Sequence, residues 1–246
     1  MSVTVVIPAR YASTRLPGKP LLARTGKPLI QHVVEAVRGA RRVDRVVVAT
    51  DDERIAQAVA AFGGQAVMTR PDHATGTDRI AETVAALKLG DDDIVVNVQG
   101  DEPEISPTFV DALAELVQVS RCPMATLAAP LPADQAGDTN KVKVVLAKDG
   151  KALYFSRAKI PFDRDDEGSA AYLLHLGLYA YRAAFLRTFA ALPRTPAEKS
   201  EKLEQLRALE SGYAIAVGVV NYDGCGIDTP EDYERFVRKQ QAGHGS

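Results

Sequence analysis

The sequence predicts an α/β protein built on a doubly wound, mostly parallel sheet, with an antiparallel lobe between about residues 122 and 190. Three observations predict it. Through the first half, short β-branched runs alternate with segments of helical apolar spacing. After about Arg121 the runs follow one another through turns instead of helices. The last segment then returns to strand followed by helix.

Taken in order, Val3–Ile7, Arg45–Ala49, Ala66–Met68 and Ile94–Val98 read as buried strands of a parallel sheet. Between them, Ile30, Val33, Val34 and Val37, then Ile55, Val59 and Phe62, then Ile80, Val84 and Leu87 mark three helices. Thr50-Asp51 offers a cap for the second, and Gly63-Gly64 ends it. Met124–Leu131, Val142–Ala147 and Ala152–Phe155 are strands of the lobe, with Asp149-Gly150 as a hairpin turn. The polar stretch Asp163–Ala170 reads as a mobile loop before the strand Leu173–Tyr181. Helices are expected near Arg182–Ala191 and Glu198–Glu210, then a strand at Ala214–Val220. A closing helix spans Thr229–Lys239, with Thr229 as cap and Pro230 at its first position. The expected organisation is a single domain over residues 1–240 and a flexible tail over 241–246.

Bulk charge excludes some partners. The 246 residues include 30 basic and 32 acidic side chains, for a net charge of −2, so neither nucleic acid nor an anionic membrane is indicated. No apolar run approaches the roughly 20 residues of a bilayer span. The N-terminus enters Val3-Thr4-Val5-Val6-Ile7 without a basic leader region, and a cytoplasmic protein is expected. Cys122 and Cys225 are too few for a disulfide framework and are expected reduced.

Against that balance, "IPARYASTRLPGKPL" collects Arg10, Arg15 and Lys19 in one loop with no acid. The loop leaves the carboxyl end of a strand, where open α/β sheets bind ligands. Three cations exceed what one phosphate needs and suit a polyphosphate, to which Ser13, Thr14 and backbone amides near Gly18 add neutral donors. A Walker A loop would need glycine in place of Ser13 and a hydroxyl residue in place of Pro20, and the dinucleotide fingerprint would need three glycines. Asp101 in "NVQGDEP" follows the strand Ile94–Val98 and reaches the same sheet edge. A carboxylate facing phosphates calls for a divalent cation, and Mg²⁺ fits one or two carboxylates plus substrate phosphates. Asp228 in "GIDTPEDYERF" is a second candidate ligand, although Asp-Thr-Pro-Glu is equally a plain helix start.

Seven segments in this order carry a resemblance: "IPARYASTRLPGKPL", "MTRPDHATGTDRIAE", "IVVNVQGDEP", "LYFSRAKIPFDRD", "HLGLYAYR", "EKLEQLRALE" and "IDTPEDYERF". Together they resemble the 3-deoxy-manno-octulosonate (Kdo) cytidylyltransferases, the CMP-Kdo synthetases, from Val3 to about Val237. The resemblance implies a Rossmann-like nucleotidyltransferase fold whose antiparallel lobe forms a homodimer. It implies that CMP passes from CTP to the anomeric hydroxyl of Kdo, with release of pyrophosphate, in lipopolysaccharide synthesis. It implies that Arg10, Arg15 and Lys19 hold the triphosphate, with the Ala9 backbone near the base. Arg70, Thr75 and Gly76 would belong to the cytosine loop, and Asp101 and Asp228 would hold magnesium. Lys19, Arg15 and the two aspartates would carry the catalysis. Gln99, Arg157, His175, Tyr179, Glu204 and Gln205 would line the sugar pocket. Phe162 stands where the family often has tryptophan, and the Asp163–Ala170 loop is short. Alternatives are a cytidylyltransferase for 8-amino-Kdo or sialic acid, and a nucleotide-binding regulator without turnover.

The residues alone say less about the sugar side. In Leu173–Tyr181, alternation puts His175, Gly177 and Tyr179 on one face, which suits a ligand and equally suits a half-buried strand with a hydrogen-bonded histidine. "EKLEQLR" is an amphipathic helix with Leu203, Leu206 and Leu209 inside, so Glu204 and Gln205 become site residues through the resemblance only.

Overall fold

Val3–Ala9 (β1) is a near-continuous buried run, the pattern of a strand covered on both faces. In the computed structural model it pairs in parallel with Arg45–Thr50 (β2) on one side and Ile94–Asn97 (β4) on the other. Ala66–Met68 (β3) pairs in parallel with β2. The structure describes residues 1–12, 16–73, 75–165, 168, 170–222, 224 and 226–243. It divides into two compact units, Met1–Asp111 with Asp223–Ser246, and Ala112–Tyr222.

The first unit holds the parallel ladder β3-β2-β1-β4 and the helices Leu29–Arg38 (α1), Glu53–Ala61 (α2) and Gly76–Ala86 (α3). The apolar residues that predicted the helices are the buried ones: Ile30, Val33, Val34 and Val37 in α1, Ile55 and Val59 in α2, Ile80 and Val84 in α3. Two details differ from expectation. β3 is an edge strand, with Met68 48% exposed, so it is not buried. The cap of α2 is Asp52, not Thr50-Asp51; its carboxylate accepts from Arg54 N at 3.0 Å. Pro107–Val119 (α4) is a helix that the sequence reading did not assign, although Val110, Leu113, Ala114 and Val117 repeat at helical spacing and are buried.

The second unit contains Met124–Leu131 (β5), Lys143–Leu146 (β6), Ala152–Ser156 (β7) and Tyr172–Arg182 (β8). The helices Ala183–Ala191 (α5), Pro196–Glu201 (α6) and Leu206–Glu210 (α7) follow, then Ile215–Val219 (β9). β8 is antiparallel to β5 and β6, β7 is antiparallel to β6, and β9 is parallel to β5. The single helix expected over Glu198–Glu210 is broken: Lys202 takes a left-handed conformation, φ 55°, and ends α6. Within β8, Thr126 pairs with Tyr179 while Ala128 pairs with His175, so the ladder shifts across Gly177. Gly177 has φ +69°, the left-handed region that favours glycine, so it serves a bulge rather than a gap between side chains in strict alternation.

Pro230–Gly243 (α8) belongs to the first unit and runs past Lys239, taking residues 241–243 out of the expected tail. Its Tyr233, Phe236 and Val237 pack with Leu29 and Ile227, and Leu16 and Leu22 lean on the same cluster. The last helix thereby anchors both ends of the segment that carries Lys19.

Candidate functional site

Because β1 and β4 lie side by side in parallel, with Val6 opposite Asn97, the loops after Ala9 and Asn97 leave one sheet edge together. The first loop is closed by Gly18, whose N–H donates to the Tyr11 carbonyl at 3.1 Å. Gly18 sits at φ +68°, a turn that glycine makes without strain. A 3-10 turn over Lys19–Leu21 then sends the Lys19 side chain inward. Its ammonium donates to Asp101 Oδ2 at 2.7 Å and to the Ile227 carbonyl at 2.8 Å, and lies 3.5 Å from Asp228 Oδ1. Ile227 N donates to the Asp101 carbonyl at 2.9 Å, which ties the two acid-bearing loops together. Gly100 is required here, since a Cβ on it would stand 2.9 Å from the Pro8 carbonyl. A cavity of about 380 Å³ opens at this point, lined by Ala9, Arg10, Lys19, Gln99, Asp101 and Asp228 among others.

The helix-start alternative for Asp228 resolves into two roles. Thr229 Oγ1 accepts from Asp232 N at 3.2 Å, and Asp232 Oδ2 accepts from Thr229 N at 3.0 Å, so the cap of α8 is Thr229 with Asp232. The Asp228 carboxylate is left to face Lys19. Glu102 stands behind the pair, and its pKa is pushed up to about 7 by burial, then by the charges of Asp101 and Asp228, against the pull of Lys19. The corner thus carries negative charge in excess of one ammonium. All the donors are oxygens, which suits a hard divalent cation. Among the described residues no group of three or more His, Cys, Asp or Glu side chains is placed to hold a metal, so a cation here would rest on two carboxylates plus phosphate oxygens and water.

In the second unit the His175 ring meets Phe155 edge-on at 4.9 Å and Tyr179 at 5.4 Å between centroids. The Thr126 hydroxyl donates to the Leu178 carbonyl at 2.6 Å, so its lone pair accepts from His175 Nε2–H at 3.0 Å. That fixes the tautomer and leaves Nδ1 as an acceptor. Burial holds the His175 pKa down at about 3, so the ring is neutral. Burial, then the neighbouring Tyr181 and Glu204, push the Tyr179 hydroxyl well above its ordinary range. Gln205 is 4% exposed, and its Nε2 is buried without a hydrogen-bond partner among the described residues.

Comparison with known proteins decides the family. The cytidylyltransferase family model matches residues 4–215. The chain belongs to the cytidylyltransferase family. It is 55% identical over 240 residues to the 3-deoxy-manno-octulosonate cytidylyltransferase of Syntrophobacter fumaroxidans (strain DSM 10017 / MPOB), covering 96% of each chain. It is 54% identical to the enzyme of the same name from Syntrophotalea carbinolica (strain DSM 2380 / NBRC 103641 / GraBd1), covering 96% of this chain and 97% of that one. A solved structure of CMP:2-keto-3-deoxy-manno-octonic acid synthetase complexed with CTP superposes with a TM-score of 0.93 at 45% identity, over 99% of this chain and 100% of that one. A cytidylyltransferase from Leptospira borgpetersenii serovar Hardjo-bovis (strain JB197) shares the fold at a TM-score of 0.61 and 18% identity, over 96% of this chain and 85% of that one. This cytidylyltransferase is therefore a nucleotidyltransferase by family and by fold.

The structure brings Ala9, Arg10, Lys19, Gln99, Asp101 and Asp228 to one cavity in the first unit of the cytidylyltransferase. Gln99, expected on the sugar side, thus lines the same cavity as Lys19. Arg15, Ser13 and Thr14 lie outside the described residues, as do Cys225 and part of the Asp163–Ala170 loop; Cys122 is a buried free thiol. Thr75 caps α3 in a reciprocal box with Asp78, and Gly76 opens that helix beside Pro8, where a Cβ would lie 3.7 Å from the proline ring. Arg70 is exposed, with Nε 3.7 Å from carboxylate oxygens of Asp72 and Glu82. In the second unit His175 and Tyr179 touch, and Glu204 pairs with Arg207 at 3.2 Å. Arg157 donates from Nε to the Glu201 carbonyl at 2.8 Å and from Nη1 to the Thr139 carbonyl at 3.1 Å. Sequence reasoning missed Glu102, although it stands next to Asp101 in the quoted "QGDEP"; it also missed Thr126 and the Ile227 carbonyl, which carry no sequence signal. Among the described residues no helix is long and apolar enough to cross a membrane.

Proposed function

We propose that this cytidylyltransferase transfers CMP from CTP to the anomeric hydroxyl of Kdo, releasing pyrophosphate. The observation that carries the reading is the full-length match to a synthetase solved with CTP, at a TM-score of 0.93 and 45% identity. The sugar hydroxyl attacks the α-phosphorus in line and pyrophosphate leaves. Lys19 and Arg10, with Arg15 of the same loop, offset the charge on the phosphates. Arg70, Thr75 and Gly76 meet the cytosine, and Gln99, Arg157, His175, Tyr179, Glu204 and Gln205 meet the sugar. The neutral His175 presents Nδ1 to a sugar hydroxyl, and Gln205 Nε2, which has no acceptor among the described residues, finds one in the sugar. Magnesium is the proposed metal, held by Asp101 and Asp228; when bound it supplies Lewis-acid stabilisation of phosphate charge. Lys19 pairs with both of these carboxylates.

Dimerisation through the second unit is supported by its exposed Leu153, Phe162 and Val219, at 60%, 81% and 52% exposure. Sedimentation of the purified chain tests it, with a monomer as the refuting result. The product is further proposed to serve lipopolysaccharide synthesis, made in the cytoplasm.

The deciding experiment is pyrophosphate release over four nucleoside triphosphates and a set of 2-keto sugar acids, with and without magnesium. The reading expects CTP with Kdo to exceed every other pair, because a site built to hydrogen-bond one base leaves its donors unpaired with another. Equal turnover with ATP, or faster turnover with sialic acid or 8-amino-Kdo, would replace the substrate assignment.

A further inference from the structure

Lys143 lies in β6 with no solvent exposure. Its ammonium donates to three backbone carbonyls: Asp138 at 2.8 Å, Arg157 at 2.7 Å, and Lys141. Three donors meet three acceptors, so the charge is satisfied by carbonyls, with no carboxylate in direct contact among the described residues. Even so paired, a buried ammonium is costly to desolvate, and a methionine would fill the same space without that cost. The residue therefore has a use beyond packing.

The ladder shows where that use lies. Lys143 is the register partner of Ser156 on β7 and of Leu174 on β8. Arg157 and His175, both assigned to the sugar, are the residues that immediately follow those partners. His175 N also donates to the Val142 carbonyl at 2.8 Å, next to Lys143. Arg157 closes the circuit by donating from Nη1 to the Thr139 carbonyl, inside the same Asp138–Lys141 turn that Lys143 holds. Glu201 fixes the other side, accepting from Arg157 N at 2.9 Å and from Ser156 Oγ at 2.6 Å.

We propose that Lys143 is a positioning residue for the sugar acid: its ammonium locks the Asp138–Lys141 turn to the Arg157 backbone and so holds the Arg157 guanidinium where the acid binds. The proposal rests on the reading that Arg157 meets that substrate. An Arg that recognises a carboxylate or a row of hydroxyls depends on orientation, and the strut supplies it before the substrate arrives.

The test is steady-state pyrophosphate release with Lys143→Gln, Arg157→Ala and the double variant. Each is titrated with Kdo at saturating CTP and with CTP at saturating Kdo. Lys143→Gln is expected to raise KM for Kdo between about ten- and a hundredfold, as a misplaced positioning group does, and to leave KM for CTP within about twofold. The double variant should be little worse than Arg157→Ala, because the two act through one group. A Kdo KM unchanged in Lys143→Gln but raised in Arg157→Ala would overturn the proposal and spare the sugar assignment. An unchanged Kdo KM in Arg157→Ala would overturn that assignment and the proposal with it. If Lys143→Gln does not fold, amide hydrogen exchange on the unaltered protein serves instead. The 138–142 turn should exchange slowly without Kdo, and fast exchange that slows only with Kdo would refute a preformed strut.

Discussion

Lowering the pH should destabilise the protein through His175, and by a predictable amount. The ordinary value for an imidazole is 6.5, and burial among Phe155, Tyr179 and Thr126 brings His175 down to about 3. The folded state therefore binds the proton more weakly than the unfolded chain does. The contribution is complete above pH 6.5 and is lost as the pH falls through the interval down to about 3. Going from about pH 7.5 to about pH 5, the unfolded imidazole gains its proton and the folded one does not, which costs roughly 2 kcal/mol. Carboxylates titrate in the same range, so the quantity to read is a difference. The assay is urea unfolding across that range for the protein and for His175→Gln, which keeps a donor for Thr126 and has nothing to titrate. The gap between the two should shift by about 2 kcal/mol against the unaltered protein at the acid end. Carbon-detected imidazole resonances give an independent reading, with His175 still neutral at about pH 5. Parallel stability curves, or an imidazole midpoint near its ordinary value, would refute the burial argument and with it the neutral acceptor proposed for the sugar.

Lys19→Met should fold and lose about 10²–10³ in turnover, the usual cost of removing one electrostatic stabiliser, as read by pyrophosphate release. Asp101→Asn and Asp228→Asn should each nearly abolish turnover while moving stability by no more than about 1 kcal/mol, since the ion pairs with Lys19 are partly exposed. The double variant should be little worse in turnover than either single one, and an active Asp228→Asn would remove that residue from the cation site. Gly100→Ala should lower stability by about 1–3 kcal/mol, because its Cβ would stand 2.9 Å from the Pro8 carbonyl and the backbone must move. A melting temperature equal to that of the unaltered protein would show that the loop has room to spare.

The parallel part of the fold is legible because β1, β2 and β4 are largely buried on two faces and its helices on one, so hydrophobic pattern and position coincide. The pattern was weaker where backbone conformation decides. The break at Lys202 is a left-handed non-glycine residue in a sequence that reads as continuous helix, and nothing local announces it. Alternation places Gly177 on one face with His175 and Tyr179, whereas its positive φ is what the ladder uses. α4 is a different matter. Its helical spacing and its Ser106-Pro107 start are both legible in the sequence.

The candidate site divides in the same physical way. A cluster of cations at the end of a strand is a long-range charge argument, and it survives ignorance of the loop's shape; Lys19, Asp101 and Asp228 do converge. What holds them is mostly backbone: the Ile227 carbonyl that accepts from Lys19, and the amide of Ile227 on the Asp101 carbonyl. Every residue has these groups, so composition and spacing cannot mark them. The proposed sugar side has one cation, Arg157, and no cluster that would mark it by charge. His175 is neutral, Gln205 is uncharged, and Glu204 shares its charge with Arg207, so recognition there is a matter of single donors and acceptors placed by a bulge and a broken helix. The glycine at 177 hints at the first of these irregularities, and nothing in the sequence marks the second. The polyphosphate end could therefore be argued from residue types alone, whereas the sugar end needed a family resemblance.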